Sequence, residues 1–257
     1  MRRKKKEERN EFSTGWCEAI PFFCLRWMLI HYNRGTMPIK SLIFDFDGLI
    51  LDTETPDFLV WQEIYREHGQ ELPAEEYGRI IGGYGLSHFD AAGHLARLTN
   101  GGAEAAALRA RHKMESDALT LAQPVLPGVS ALLQEAEELG LSLAIASSSE
   151  HAWVDTHLSR LGLLHHFPTI ICGDDVAPGR TKPNPDLYLK ALDVLGMDAR
   201  EAIVFEDSLN GVRAAKAAGI FVVAVPNQAT ALLGVDGADL RLKSLSDFRL
   251  RDFTGRM

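Results

Sequence analysis

Two aspartates, Asp45 and Asp47, directly follow a short apolar run and are separated by one phenylalanine. Residues two apart in an extended backbone point to the same side, so both carboxylates are expected to face one site. Such a pair can bind a hard cation, or one ionised carboxylate can attack while its neighbour carries a proton. Gly48 comes next and permits a tight turn away from the strand. Taken alone, the motif also fits a solvated loop.

Three further segments carry polar residues that suit the same chemistry. Ser147 begins a run of three serines at a predicted helix start, where anionic oxygens bind readily, although simple N-capping by Ser149 is the alternative. Lys182 lies in a loop that two prolines stiffen, which fixes a compact positive charge. Glu206 and Asp207 add two carboxylates after another apolar run, although Asp207 or Ser208 could merely cap a helix.

The apolar runs before these residues predict short buried strands at 41–44, 141–146, 169–172, 202–205 and 220–225. Between them, apolar residues at helical spacing predict four helices that each end before a glycine, at 129–139, 151–161, 185–195 and 208–218. Strands that alternate with helices of this length predict an α/β fold with a Rossmann-like, doubly wound parallel sheet. Ligands of such a sheet gather at the carboxyl ends of the strands.

One segment breaks the alternation. Residues 55–120 show helical patterns and no convincing strand, so we expect a helical cap domain of the C1 type, inserted after the first strand and hinged over its end. The α/β core domain is then expected to comprise residues 37–54 and 121–257. Residues 1–36 are expected to form a poorly ordered N-terminal extension. The predicted cap helices are 57–68, 87–98 and 103–119.

The composition bounds the class of protein. With 46% hydrophobic and 24% charged residues among 257, a wholly disordered or collagen-like chain is excluded. Three cysteines without a paired C-x-x-C set favour a reducing, cytoplasmic setting over a disulfide framework or structural zinc. The chain has 27 Lys/Arg and 35 Asp/Glu residues, of which eight Lys/Arg and four Asp/Glu lie in residues 1–36. The remaining residues therefore carry a net charge of about -12. Because this charge repels phosphate backbones, no nucleic-acid partner is expected. The apolar stretch 19–30 is too short to span a bilayer, so no membrane partner is expected.

Together the four motifs resemble the haloacid dehalogenase-like (HAD) superfamily of phosphotransferases. They occur in family order, with 102 residues from Asp45 to Ser147, 35 from Ser147 to Lys182 and 24 from Lys182 to Glu206. The resemblance covers about residues 39–225 and is closest to the β-phosphoglucomutase-like phosphatase branch, which carries a helical cap at the same place. The segments that carry this closer resemblance are 45–54, 182–186 and 206–211.

The resemblance implies a Mg²⁺-dependent phosphatase that forms an aspartyl-phosphate intermediate. Asp45 would be the nucleophile and Asp47 the general acid and base, while Ser147 and Lys182 would hold the transferring phosphate oxygens. Four residues would form the Mg²⁺ site: Asp45, Asp47 through its backbone carbonyl, Asp207 and, behind them, Glu206.

The expected reaction is hydrolysis of a small phosphorylated metabolite, such as a sugar phosphate or nucleoside monophosphate, by a monomer. A sugar-phosphate mutase of the β-phosphoglucomutase type is the alternative. Against it, Asp57 stands near the place where that mutase carries a histidine, and no Lys or Arg occurs at 80–96, where its cap loop has an arginine. The resemblance also argues against a dehalogenase or a phosphonatase, which lack or replace the aspartate at position 47. A non-catalytic phosphate-binding protein is a third possibility.

Selectivity would come from side chains near the nucleophile and on the cap. Related caps accept many metabolites, so the sequence does not determine the substrate. Trp61 and Trp153 are expected to pack. The candidate substrate contacts are Gly48, Thr53, Ser148, Tyr84, His88 and Lys113.

Overall fold

The structure, a computed structural model, describes residues 39–78, 80–81, 89–100, 102–232 and 234–254. They contain a six-stranded sheet with the order β3-β2-β1-β4-β5-β6, and every neighbouring pair is parallel. The strands are β1 (Ser41–Phe44), β2 (Ser142–Ala146), β3 (Thr169–Ile171), β4 (Ala202–Glu206), β5 (Phe221–Ala224) and β6 (Leu240–Arg241). The predicted α/β fold is confirmed, while the predicted extension at 1–36 lies outside the described residues.

Strand β1 lies in the middle of the sheet, and all four of its residues are buried because strands flank it on both sides. Asp45, the residue after β1, continues the hydrogen-bond pattern of the sheet, since its amide donates to the Phe205 carbonyl at 3.0 Å. The Ser147 amide likewise donates to the Ile171 carbonyl at 2.9 Å. The chain runs to opposite sides of β1 to form β2 and β4, which places a ligand crevice beyond the carboxyl end of β1.

Helices cover both faces of the sheet. On one face Ile43 packs in an apolar cluster with Leu187 and Val212. On the other, the rings of Phe44 and Phe205 stack with centroids 4.9 Å apart. The described helices that follow residue 121 are α5 (Val129–Glu138), α6 (His151–Arg160), α7 (Asp186–Leu195), α8 (Leu209–Ala217) and α9 (Arg251–Thr254). The four predicted helices correspond to α5 through α8, each of which is followed within two residues by a glycine in the left-handed region.

Five described helices lie between β1 and β2, and the four that precede α5 have an apolar core of their own. Ile64 and Tyr65 pack with Leu95 and Leu108 in one buried cluster, and the Tyr65 hydroxyl donates to the Ala91 carbonyl at 2.7 Å. These four helices are α1 (Glu54–Glu67), α2 (Ala74–Gly78), α3 (Ala91–Leu98) and α4 (Ala105–Leu121). Helix α2 was not predicted because five residues give too little periodicity. None of the described helices is long and apolar enough to cross a membrane.

The Cys172 thiol should resist alkylation in the folded protein. It lies just after β3 and is fully buried; burial, reinforced by Asp174, raises its pKa to about 12. Because the thiolate is the reactive species, modification by iodoacetamide at pH 8 should be roughly 10²- to 10³-fold slower than for a free cysteine. Peptide mapping by mass spectrometry separates this site from Cys17 and Cys24, and the guanidinium-unfolded protein supplies the reactive control. Rapid labelling of Cys172 in the native protein would contradict this burial.

Candidate active site

Three carboxylates meet at the carboxyl edge of the sheet. Asp45 follows β1, Glu206 ends β4 and Asp207 comes directly after it, and one oxygen of each residue lies within 4.8 Å of the other two. All three residues are at most 4% exposed. Gly48 allows the close approach, because its φ is 77° and a Cβ there would lie 2.1 Å from Oδ2 of Asp207. The structure thus brings together the acidic residues that the sequence assigned to one site.

Lys182 holds two of these carboxylates. Its Nζ lies 2.5 Å from Oδ1 of Asp45 and 2.6 Å from Oε1 of Glu206, and its side chain is 1% exposed. The loop before α7 delivers it, with Nζ also 5.2 Å from the centre of the Tyr188 ring. Burial disfavours the ammonium ion, but Asp45 and Glu206 outweigh this effect and raise the pKa of Lys182. The side chain therefore provides a fixed positive charge beside Asp45.

Glu206 has partners for both carboxylate oxygens. Oε1 accepts from the Tyr188 hydroxyl as well as from Lys182, and Oε2 accepts from the Asp207 amide at 3.1 Å. Helix α8 approaches this group so closely that a Cβ at Gly211 would lie 1.9 Å from the Glu206 carboxyl carbon. These contacts suit Glu206 to orient Lys182 and its neighbours.

The charges at this edge do not balance. Burial, followed by the charge of Glu206, raises the pKa of Asp45 to about 8 although Lys182 opposes the shift. Burial, followed by the charge of Asp45, also raises the pKa of Asp207 well above its usual range. One lysine thus faces three crowded carboxylates, and a divalent cation would favour their ionised forms. Hard oxygen donors in this arrangement fit such an ion.

Asn227 is part of this edge, although the sequence analysis did not select it. Its Nδ2 donates to Oδ2 of Asp207 at 3.0 Å and to the Gly48 carbonyl at 3.2 Å, which ties the turn after β1 to the segment after β4. Asn227 follows β5, so the rule that selected the other strand ends would also have found it.

Asp47 is surrounded by hydrogen-bond donors. The Trp153 indole Nε1 donates to Oδ1 at 2.8 Å, and Oδ2 accepts from Ser149 Oγ at 2.7 Å and from Ser147 Oγ at 3.3 Å. Two expectations need correction here. Ser149 was weighed as a helix N-cap, but the N-cap of α6 is Glu150, because the helix begins one residue later than that role requires. Trp153 was expected only to pack, yet its indole N–H donates to Asp47.

A cavity of about 360 Å³ opens in front of these groups. Asp45, Asp47, Ser147 and Lys182 line it on the side of the sheet. Of the predicted substrate contacts, Thr53 and Ser148 also line it. Gly48 is not among the lining residues, and its contacts with Asp207 and Asn227 are internal. Tyr84 and His88 lie outside the described residues, whereas the Lys113 side chain is 73% exposed and pairs with Asp117 at 2.8 Å.

The helices between β1 and β2 contribute an acidic wall to the cavity through Glu54, Asp57 and Asp117. Asp57 accepts from the Tyr77 hydroxyl, and His112 Nε2 lies 3.3 Å from its Oδ1. Burial raises the pKa of Asp57, although His112 and Tyr77 oppose the shift. The wall therefore presents hydrogen-bond acceptors to whatever occupies the cavity.

A parallel sheet with carboxylates, hydroxyls and a buried lysine at the carboxyl edge of its switch point has the architecture of an α/β enzyme. The family model described as haloacid dehalogenase-like hydrolase matches residues 42–225, and the chain belongs to this family. The predicted superfamily is thus confirmed.

Relatives with assigned names include phosphatases and a mutase. The Bacillus subtilis protein named "Putative phosphatase YhcW" is 43% identical over 216 residues, which cover 82% of this chain and 94% of that protein. Beta-phosphoglucomutase of the same organism is 31% identical, over 82% of this chain and 92% of the relative. These matches confirm the prediction of an enzyme of the phosphatase type.

Solved structures agree with the fold. The structure of CbbY from Rhodobacter sphaeroides in complex with phosphate has a TM-score of 0.63 and 29% identity, and the match covers 84% of this chain and 99% of that chain. A variant of the same protein in complex with xylulose-(1,5)-bisphosphate has a TM-score of 0.64 and 28% identity, with the same coverage.

Proposed function

We propose that this protein is a Mg²⁺-dependent phosphatase that hydrolyses a small phosphorylated metabolite through an aspartyl-phosphate intermediate. One observation carries the proposal: the Asp45 carboxylate lines the cavity, pairs with Lys182 at 2.5 Å and lies beside Asp207. A nucleophile, a fixed cation and a set of metal ligands are the groups that phosphoryl transfer requires.

In the first step Asp45 attacks the phosphorus atom. The bond from phosphorus to the leaving oxygen breaks, its electron pair stays on that oxygen, and the Asp47 carboxyl supplies a proton to give the free alcohol. Lys182 and the Ser147 hydroxyl contact the transferring oxygens and stabilise the charge on them. The position of both groups on the cavity wall supports these roles.

In the second step water attacks the same phosphorus atom. Asp47, now ionised, takes a proton from the water, and the electron pair of the breaking bond returns to Asp45 as inorganic phosphate leaves. The residues that would hold Mg²⁺ are Asp45, Asp207 and the backbone carbonyl of Asp47, with Glu206 behind them. When bound, the ion supplies positive charge that favours ionised carboxylates and offsets the charge of the phosphate.

The substrate class that we propose is a sugar phosphate or a nucleoside monophosphate. Thr53, Glu54 and Asp57 line the cavity and offer acceptors for hydroxyl groups. The E. coli relative named fructose-1-phosphate phosphatase YqaB, 31% identical, supports a sugar phosphate. We also propose that residues 55–120 act as a cap, because α1 and α4 supply one wall of the cavity and have a separate apolar core.

The purified protein should release inorganic phosphate from p-nitrophenyl phosphate and from sugar monophosphates when Mg²⁺ is present. EDTA should lower the rate by at least about 10²-fold, because the charge stabilisation from the ion is lost, and added Mg²⁺ should restore it. A malachite-green assay over a panel of phosphomonoesters measures both. Phosphate release that persists unchanged in EDTA would contradict the metal requirement.

A mutase is the second candidate, favoured by the 31% identity to beta-phosphoglucomutase. Asp57 opposes it, because its carboxylate bonds to Tyr77 and faces the cavity near the position of the mutase's histidine. The products distinguish the two reactions: a mutase yields an isomeric sugar phosphate with little free phosphate, which ³¹P NMR resolves.

A further inference from the structure

The side chain of Asp47 is fixed at both oxygens by residues near the start of α6. Trp153 Nε1 is 2.8 Å from Oδ1, and Ser149 Oγ is 2.7 Å from Oδ2. Ser147 adds a weaker contact to Oδ2 at 3.3 Å. In the proposed reaction Ser147 turns to the phosphate, so Trp153 and Ser149 are the contacts that would hold Asp47 during turnover.

The three donors differ in what they can do. A serine hydroxyl can donate or accept, whereas an indole N–H can only donate. Trp153 therefore makes Oδ1 an acceptor, and because the carbonyl oxygen of a carboxyl group accepts better than its hydroxyl oxygen, the contact favours a proton on Oδ2. Oδ2 is also the oxygen that contacts Ser147, the residue expected at the phosphate. The indole thus selects both the rotamer of Asp47 and the oxygen that carries the proton.

The Trp153 ring is itself held in place. It contacts the His157 ring edge-on, with centroids 4.3 Å apart, and His157 in turn packs against Phe46 at 6.3 Å. Phe46 separates Asp45 from Asp47 and is fully buried. The orientation of the indole is therefore coupled to the same turn that carries the acidic pair.

We propose that Trp153 is a positioning residue that aims Oδ2 of Asp47, with its proton, at the leaving oxygen. This inference rests on the proposed function. As phosphorus transfers to Asp45, the electron pair of the broken bond stays on the leaving oxygen, which takes the Oδ2 proton. Asp47 is then left ionised and is still held by the indole for the attack of water. The direction of the donor, rather than ring size, is what matters.

Trp153→Phe keeps an aromatic ring and removes the N–H, so it tests this directly. With enzyme in excess over substrate and Mg²⁺ present, release of the leaving group in a single turnover reports phosphoryl transfer alone. For fructose 1-phosphate, a poor leaving group, the rate should fall by about 10- to 100-fold, since general acid catalysis contributes about 10²- to 10⁴-fold. For p-nitrophenyl phosphate, whose leaving group needs little protonation, it should change less than about threefold. Trp61→Phe is the matched control, because Trp61 stacks on His112 away from the cavity lining.

Equal losses with both substrates would show a packing role, and no loss with either would show that the contact is irrelevant; both results overturn the inference. Indole ¹H–¹⁵N resonances give a measurement that needs no activity. The Trp153 signal, identified by its disappearance in Trp153→Phe, should shift in Asp47→Ala, and an unchanged signal would overturn the contact itself. A wild-type protein that releases no phosphate from any substrate would instead refute the proposed function.

Discussion

Asp45→Asn is expected to reduce phosphate release by about 10⁴- to 10⁶-fold, the scale seen when a catalytic nucleophile is removed. An amide oxygen carries no full charge and is a poor nucleophile, so the aspartyl phosphate cannot form. The substitution preserves shape, and Lys182 keeps Glu206 at 2.6 Å, so the protein should still fold. A malachite-green assay with Mg²⁺ measures the loss.

Stability provides an independent check on the same variant. The pKa of Asp45 is raised from its ordinary 3.8 to about 8. The Asp45 carboxyl group therefore stabilises the folded state at low pH, and this stabilisation is lost as the pH rises through this interval. Without metal, Asp45→Asn should therefore match or exceed the wild-type melting temperature at pH 8. Asp193→Asn, at an exposed position on α7, is the control. Activity within tenfold of the wild type in Asp45→Asn would exclude Asp45 as the nucleophile.

Lys182→Met should impair both activity and folding. Its loss removes a donor to the transferring oxygens, which should cost about 10²- to 10³-fold in rate. It also leaves Asp45 and Glu206 buried without their ammonium partner, and breaking a buried pair in this way costs about 3–5 kcal/mol. Urea denaturation without metal measures the change in the free energy of unfolding.

The destabilisation by Lys182→Met should depend on pH. Lys182 lowers the pKa of Asp45, so its removal raises that pKa further and makes the folded state favour the protonated carboxyl more strongly. The deficit should accordingly be larger at pH 8 than at pH 5, and Mg²⁺ should reduce it. Lys190→Met is the control, because Lys190 is 39% exposed on the side chain and pairs with Asp175 at 3.3 Å. An equal deficit at both pH values would contradict the electrostatic explanation.

The sequence was sufficient to predict the sheet and the groups at its carboxyl edge. Recognisable apolar runs precede Asp45 and Asp207, and Lys182 stands in a loop that prolines stiffen. The topology of the sheet alone therefore brings these three residues close together. Strand β6 was missed because two residues carry no alternation. The predicted helices 57–68, 87–98 and 103–119 overlap α1, α3 and α4, and the described bounds differ from the predicted ones by at most four residues.

The hydrogen bonds to Asp47 could not be predicted in the same way. Trp153 lies on a short amphipathic helix, where a large aromatic residue ordinarily indicates packing, and the direction of an indole N–H leaves no trace in sequence spacing. Ser149 stands among three consecutive serines, and sequence spacing does not show that Ser147 and Ser149 both contact Asp47. Side-chain direction at an element's end depends on tertiary contacts that composition does not encode.

The central position of β1 also sets the time at which the enzyme can become active during its synthesis. Asp45 is translated early, but the strand that places Asp207 beside it emerges 162 residues later. At about 5–20 residues per second, a ribosome needs roughly 8–32 s to cover that interval. Until Lys182 is made, 137 residues after Asp45, the nascent chain has its proposed nucleophile but neither Lys182 nor the second acidic segment. The proposed active site is therefore completed only after β4 and Asp207 have been synthesised.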